Sequence, residues 1–264
     1  MAVTSVDPSA VFVPALADGR ADEILSLFAA EPRIDDPRHG AVVGAEAVRK
    51  YVAAQASWMR DLSFHVQPIR TTLGSGRSIT EFLARLTVDG NETELPIAVV
   101  AELAPGSGAR TGGLRAIRVY HSNWPLEGHH RLRGPLIPAD PDLELPDVVA
   151  DYMDALHTAN LAKSESVFER EAYFREPSGG DYIYRGSDGI RDAYGAFYKV
   201  GPIFLEHCSV IDDGVACGVE FIAVGWGPRK FEPQAGVAVY ERGRSGKLAA
   251  ARVYDDVDVD LGLK

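Results

Sequence analysis

The sequence predicts an α+β protein that carries the same domain twice. In each half of the chain, segments with helical periodicity come before a series of strand-like segments, an order typical of α+β folds. Motifs also recur at a nearly constant offset: Asp36-Pro37 matches Glu176-Pro177 (176 − 36 = 140), and Arg118-Val119-Tyr120 matches Arg252-Val253-Tyr254 (252 − 118 = 134). A period this long indicates a duplicated domain rather than a solenoid repeat.

Three helices are predicted in the second half, each from apolar residues at helical spacing behind a capping residue. The predicted caps are Asp147, Asn160 and Ser187. Tyr152 on the first helix and Tyr194 on the third share a face with apolar residues, so both side chains are expected to point inward.

Strands are predicted after the helices in both halves, and turn-forming stretches separate them. The predicted segments are 64–70, 78–88, 93–103 and 114–120 in the first half, and 203–211, 215–226, 231–240 and 248–257 in the second. Short connections of this kind predict hairpins and therefore mainly antiparallel pairing. Glu176 is expected at the end of a further short strand, because a residue before proline avoids the α region.

The segment 125–146 is the predicted linker between the copies, since it contains five prolines: Pro125, Pro135, Pro138, Pro141 and Pro146. Proline at this density favours an extended, semi-rigid connection. The predicted domains are therefore 1–124 and 147–264. Packing of the two copies on each other would form an internal pseudo-dimer, with further homo-oligomerisation left open.

The overall composition excludes several classes of function. The formal net charge of −11 would repel nucleic acid and anionic membranes. The sequence contains no apolar run of membrane-spanning length, and its first ten residues lack a basic and an apolar region typical of a signal peptide. We therefore expect a cytoplasmic protein that binds neither nucleic acid nor a membrane.

Neither a metal site nor a cofactor is predicted. Cys208 and Cys217 flank a predicted turn, where one register would place them opposite each other, but buried thiols are favoured over a disulfide. Two cysteines without a histidine pair at ligand spacing do not make a zinc site. His129 and His130 lie in the linker and are expected to be solvated.

The stretch 147–198 resembles the N-terminal half of a ketosteroid isomerase, within the nuclear-transport-factor-2-like (SnoaL-like) families. The resemblance rests on Tyr152, on Glu176 followed by proline, and on Tyr194. It implies two tandem cone-shaped α+β barrels, each with N-terminal helices packed on a curved mixed sheet. It also implies that Glu176 is the catalytic base, Tyr152 the donor to a substrate oxyanion, and Tyr194 its support. The second acid of that family would fall at 236–238, where this chain has none.

A carboxylate in an apolar cone has a raised pKa, which suits proton abstraction near neutral pH. The leading hypothesis, which the resemblance implies, is therefore a cofactor-independent enzyme whose partner is a small hydrophobic molecule. Isomerisation of an unsaturated ketone is its most concrete version. The alternatives are an epoxide hydrolase or polyketide cyclase, for which Glu176 would pair with Glu206 or Asp255, and a binding protein without turnover. Trp226 is a further candidate at the cavity mouth, and Tyr182 and Tyr184 are candidates for a lid.

The first copy is predicted to be degenerate. Phe12 takes the place of Tyr152 (152 − 140 = 12) and Val52 that of Tyr194 (194 − 142 = 52), so Asp36 is expected to lack its tyrosine companions. A different site could combine Asp36 with His39, His65 or Tyr120. Pro14, inside the first predicted helix, is expected to kink that helix or delay its start.

Overall fold

The structure, a computed structural model, describes residues 7–104 and 113–257. These residues form two compact units, and the division falls between Gly128 and His129. The first unit contains α1 (Pro8–Ala17), α2 (Ala21–Ser26), β1 (Arg33–Asp36), β2 (Gly40–Val43), α3 (Ala45–Asp61), β3 (His65–Leu73), β4 (Arg77–Val88), β5 (Asn91–Leu103), β6 (Leu114–Tyr120) and α4 (Trp124–Glu127). The second unit contains α5 (Asp147–Thr158), α6 (Leu161–Val167), β7 (Phe168–Arg175), β8 (Ile183–Arg185), α7 (Gly186–Phe197), β9 (Ile203–Asp212), β10 (Ala216–Trp226), β11 (Arg229–Arg242) and β12 (Leu248–Asp255).

The two units have the same topology. The strand order is β2-β1-β6-β5-β4-β3 in the first sheet and β8-β7-β12-β11-β10-β9 in the second. One pair in each sheet is parallel, β1 with β6 and β7 with β12, and the other pairs are antiparallel. Bulges in β10 bend the second sheet around its helices. The predicted tandem α+β fold with mixed, mainly antiparallel sheets is confirmed.

Each unit buries its own core between the helices and one face of its sheet. In the first unit Phe12 and Leu16 of α1 pack with Val52 of α3, and in the second Tyr152 of α5 packs with Tyr194 of α7. Apolar residues on one stripe of each helix face the sheet, as the periodicity predicts. The tyrosines are therefore placed inside the second core.

Several helix limits differ from the prediction. Helix α7 begins at Gly186, so Ser187 lies inside it and its hydroxyl bonds the carbonyl of Arg170 instead of capping. Asn160 caps α6 as predicted, with Oδ1 accepting from the N–H of Lys163 at 3.0 Å. Helix α1 begins at Pro8 and includes Pro14, so its start is not delayed. Within residues 7–104 and 113–257, none of the helices has the length and apolar character needed to cross a membrane.

The two cysteines do not face each other. Cys217 pairs with Asp212 across the hairpin, and neither cysteine is part of a disulfide. Burial raises the pKa of the Cys217 thiol to about 12, so it is a packed and unreactive group. This agrees with the expectation of thiols rather than a disulfide.

Candidate functional site

The second unit encloses a cavity of about 280 Å³ between its helices and its curved sheet. Most of the wall is apolar, and its aromatic members are Tyr152, Phe174, Tyr194, Phe197, Phe221, Trp226, Phe231 and Tyr240. Two carboxylic acids, Glu176 and Asp255, and one histidine, His130, interrupt that wall. A few polar groups in an apolar pocket are typical of small-molecule sites.

Glu176 lies directly after β7, where Pro177 ends the strand, and its side chain lines the cavity. One carboxylate oxygen accepts a hydrogen bond from the Tyr184 hydroxyl at 2.8 Å. Burial raises the pKa of Glu176, and the Tyr184 hydrogen bond opposes that rise. A raised pKa makes the carboxylate a stronger base than an exposed one.

Tyr152 and Tyr194 form a hydrogen-bonded pair on the helical side of the cavity. Their hydroxyl oxygens are 2.7 Å apart, and both residues are buried. The pair is packed edge to face, and Phe168 and Tyr240 also contact Tyr152. Burial raises the pKa of both phenols, so they are neutral and can donate hydrogen bonds.

Asp255 supplies the second acid from a strand that the resemblance did not indicate. It lies at the end of β12 directly opposite Gly236 of β11. A Cβ atom at position 236 would stand 2.5 Å from the Phe221 ring and 2.9 Å from the Asp255 Cβ, so glycine leaves room for both. Burial, and then the charge of the neighbouring Asp256, raise the pKa of Asp255 to about 7, and Glu176 contributes to this rise.

His130 is part of the cavity wall and is not solvated as expected. Its Nδ1 lies 2.9 Å from Oδ1 of Asp256, and the other oxygen of Asp256 accepts the N–H of Arg131 at 2.8 Å. Asp256 is buried. His129, the preceding residue, is exposed.

Of the other predicted residues of the second unit, some line or support the cavity and others lie away from it. Trp226 lines the cavity and donates its Nε1–H to the Phe197 carbonyl at 3.1 Å. Tyr184 supports Glu176, whereas Tyr182 is 38% exposed and lies apart from the cavity wall. Glu206 is exposed, because its neighbour Leu205 faces the cavity and strand residues alternate. The structure therefore corrects the placement of Glu206 and Tyr182.

In the first unit Asp36 has the companions that the sequence analysis denied it. Its Oδ2 accepts from the Tyr51 hydroxyl at 2.9 Å, and its Oδ1 accepts from the N–H groups of Arg38 and His39 at 2.8 and 2.9 Å. Burial opposes ionisation, but the hydrogen bond with His39, the nearby His121 and the other donors hold the pKa of Asp36 well below its usual range. Tyr51 stands one position before Val52, the residue that the repeat matches to Tyr194. The first unit therefore has a tyrosine on this helix, one residue away from the predicted position.

The structure does not bring His65 or Tyr120 to Asp36. His65 begins β3 and is exposed. Tyr120 is buried, but Val119 and His121 on either side of it line the small cavity beside Asp36, so Tyr120 faces the opposite side of the sheet. That cavity measures about 30 Å³.

His121, which lines the small cavity beside Asp36 and which the sequence analysis missed, carried a signal in the repeat. The Arg-Val-Tyr motif ends at Tyr120 and Tyr254, so His121 and Asp255 occupy equivalent positions (255 − 121 = 134). Extending the repeat by one residue would have paired them. No local pattern indicated the pair of His130 and Asp256, because these residues are far apart in sequence.

The comparisons with known proteins find one family model that matches part of the chain. Residues 10–121 match the model of the SnoaL-like domain. Among curated proteins, none matches this sequence.

Several solved structures are similar to parts of the chain. An NTF2-like protein of unknown function from Cytophaga hutchinsonii is 15% identical over 44% of this chain and 94% of its own, with a TM-score of 0.35. An epoxide hydrolase/cyclase-like enzyme, SalBIII, with a role in pyran ring formation in the polyether salinomycin, is 18% identical over 42% and 85%, with a TM-score of 0.33. A protein with a ketosteroid isomerase-like fold from Catenulispora acidiphila, in complex with trimethylamine, is 14% identical over 46% and 93%, with a TM-score of 0.37.

Proposed function

From the SnoaL-like domain at residues 10–121 and the repetition of its topology in the second unit, we propose that the second unit is a cofactor-independent enzyme that moves a proton on a small, apolar carbonyl substrate. The observation that carries this proposal is Glu176, a carboxylate with a raised pKa in an aromatic cavity that also contains two neutral tyrosine hydroxyls. The most concrete reaction is isomerisation of a β,γ-unsaturated ketone.

In this reaction the carboxylate of Glu176 removes a proton from the carbon next to the carbonyl group. The C–H electron pair moves into the new double bond, and the carbonyl oxygen gains negative charge. A hydroxyl of the Tyr152–Tyr194 pair donates to that oxygen, which stabilises the enolate by roughly 3 kcal/mol in a dry site. Glu176 then returns the proton at the far end of the dienolate, so atoms and charge balance.

Turnover of a β,γ-unsaturated ketosteroid, followed by the absorbance of the conjugated enone, tests this proposal. Glu176→Gln keeps the shape of the side chain but removes the base, so turnover is expected to disappear while the steroid still binds. Because the base must be ionised, kcat/KM of the wild type should rise as pH rises through the elevated pKa of Glu176. Unchanged turnover in Glu176→Gln would refute the assignment.

Asp255 favours a second candidate, acid-assisted opening of an epoxide. A carboxyl group with a pKa of about 7 is partly protonated at neutral pH and can donate a proton to the epoxide oxygen. Glu176 would then take a proton from the attacking water or hydroxyl group. This replaces the predicted pairing with Glu206, which is exposed.

Asp255→Asn distinguishes the two candidates. Epoxide opening requires the acid, so this variant should lose it, and the wild-type rate should fall above about pH 7 as Asp255 ionises. Ketone isomerisation should survive the substitution, because Glu176 and the tyrosine pair perform both of its steps. A substrate that binds without turnover in every variant would instead favour a binding protein.

A further inference from the structure

His130 is a titratable residue of the cavity wall that neither proposed reaction uses. Its Nδ1 lies 2.9 Å from the carboxylate of Asp256, and that carboxylate is itself held by the N–H of Arg131. A carboxylate at Nδ1 selects the tautomer that carries its proton there and leaves Nε2 as the basic nitrogen. The His130 side chain lines the cavity and is 24% exposed, whereas that of Asp256 is 2% exposed.

The segment that carries His130 is attached to the second unit at several points. The Arg133 carbonyl accepts the N–H of Ala235 in β11, and the N–H of Asp140 donates to the His207 carbonyl in β9, both at 2.8 Å. The predicted linker is therefore fixed across two strands of the sheet. A side chain presented by such a segment is held in position, as acid–base chemistry requires.

We propose that His130, oriented by Asp256, is an acid–base residue of the second unit that carries protons between Asp255 and solvent. The inference rests on the proposed function, since it describes how the same site exchanges protons. The proton leaves the Asp255 carboxyl group and binds the Nε2 lone pair of His130. The imidazolium that forms is balanced by the carboxylates of Asp255 and Asp256, with Glu176 in the same cavity wall, and it releases the proton to water.

Nuclear magnetic resonance of the histidine side chains tests this proposal without a substrate. In the full-length chain labelled with ¹⁵N, the His130 signals are assigned by their loss in His130→Gln. We expect the Nδ1–H tautomer in the neutral ring and a titration midpoint that falls in Asp255→Asn, because a neighbouring negative charge stabilises the imidazolium. The signals of His129, which is exposed, are the internal control. A His130 midpoint that does not respond to Asp255→Asn, or an Nε2–H tautomer, would overturn the proposal.

Opening of a small apolar epoxide, the candidate reaction that uses Asp255, gives a second readout. His130→Gln should lower kcat about tenfold or more, leave KM unchanged and alter the pH profile, whereas His129→Gln should match the wild type. If Glu176→Gln abolishes turnover but His130→Gln equals His129→Gln, the relay is refuted while the proposed function stands. If the wild type does not open the epoxide, the second candidate function fails, and the magnetic resonance titration alone decides whether His130 and Asp255 exchange protons.

Discussion

Asp36 and Glu176 occupy the same place in two copies of one fold, yet their surroundings give them opposite properties. Asp36 is the last residue of β1 and Glu176 directly follows β7, and each precedes a proline. Burial opposes the ionisation of Asp36, but the hydrogen bond with His39, the charge of His121 and the donors from the following turn and Tyr51 lower its pKa. Glu176 accepts from Tyr184 in an apolar cavity, and its pKa is raised.

The comparison shows that hydrogen-bond donors, and not the position in the fold, determine what a carboxylate can do here. Several donors stabilise the anion of Asp36 and make it a weak base. Burial with fewer donors leaves Glu176 more basic. The cavities also differ in volume, which is about 30 Å³ beside Asp36 and about 280 Å³ beside Glu176. The smaller volume is close to that of one water molecule, so the first unit has no room there for a substrate.

The largest difference is expected in turnover. Glu176→Gln should lower kcat for the ketosteroid by at least about 100-fold, the contribution typical of a general base, while Asp36→Asn should leave it within about threefold. Both variants are measured side by side in the full-length chain. A comparable loss in Asp36→Asn would mean that the first unit takes part in catalysis, and the contrast between the units would fail.

For the free energy of unfolding we expect the larger effect at Asp36 instead of Glu176. Asp36→Asn removes a buried carboxylate that accepts several hydrogen bonds, so it should reduce the free energy of unfolding by roughly 2–3 kcal/mol at neutral pH. The lowered pKa of Asp36 means that its contribution is present above the ordinary pKa of an aspartate and is lost as pH falls through the folded value. Urea denaturation at neutral and acidic pH measures this. A penalty that does not shrink in acid would contradict it.

Asp255→Asn should stabilise the protein relative to the wild type, by an amount that increases as pH rises. Because the folded-state pKa of Asp255 is raised to about 7, its contribution is favourable at low pH and is lost as pH increases to that value. Between about pH 5.5 and about pH 8, the variant should gain about 2 kcal/mol relative to the wild type. Urea denaturation across this range tests the sign, and a gain that is independent of pH would show that Asp255 titrates normally.

The smallest effect concerns the Tyr152–Tyr194 pair. Each single change to phenylalanine removes one hydroxyl of a hydrogen bond 2.7 Å long, and a double-mutant cycle should give a coupling of about 1 kcal/mol in the free energy of unfolding. In the first unit, Tyr51→Phe is the counterpart, because its hydroxyl donates to Asp36. Zero coupling between the two tyrosines would mean that their hydroxyls act separately, which would weaken their role as one oxyanion donor.

Much of the fold could be predicted from sequence because its signals are local. Apolar spacing predicted the inward-facing Tyr152 and Tyr194, and the Arg-Val-Tyr motif marked β6 and β12 in both copies. The proline after Glu176 placed that residue at a strand end. Each of these properties depends on residues a few positions apart, so a linear sequence displays them.

The chemistry of the sites depended on contacts between distant residues. Only strand pairing sets Asp255 opposite Gly236 and so brings a second acid into the cavity, where the aligned positions 236–238 contain none. Only packing joins His130 to Asp256 across more than a hundred residues. The sequence by itself determined two copies of an α+β unit with an acid in each. The tertiary structure decided which acid is a base, because pKa values follow from burial and hydrogen-bond partners.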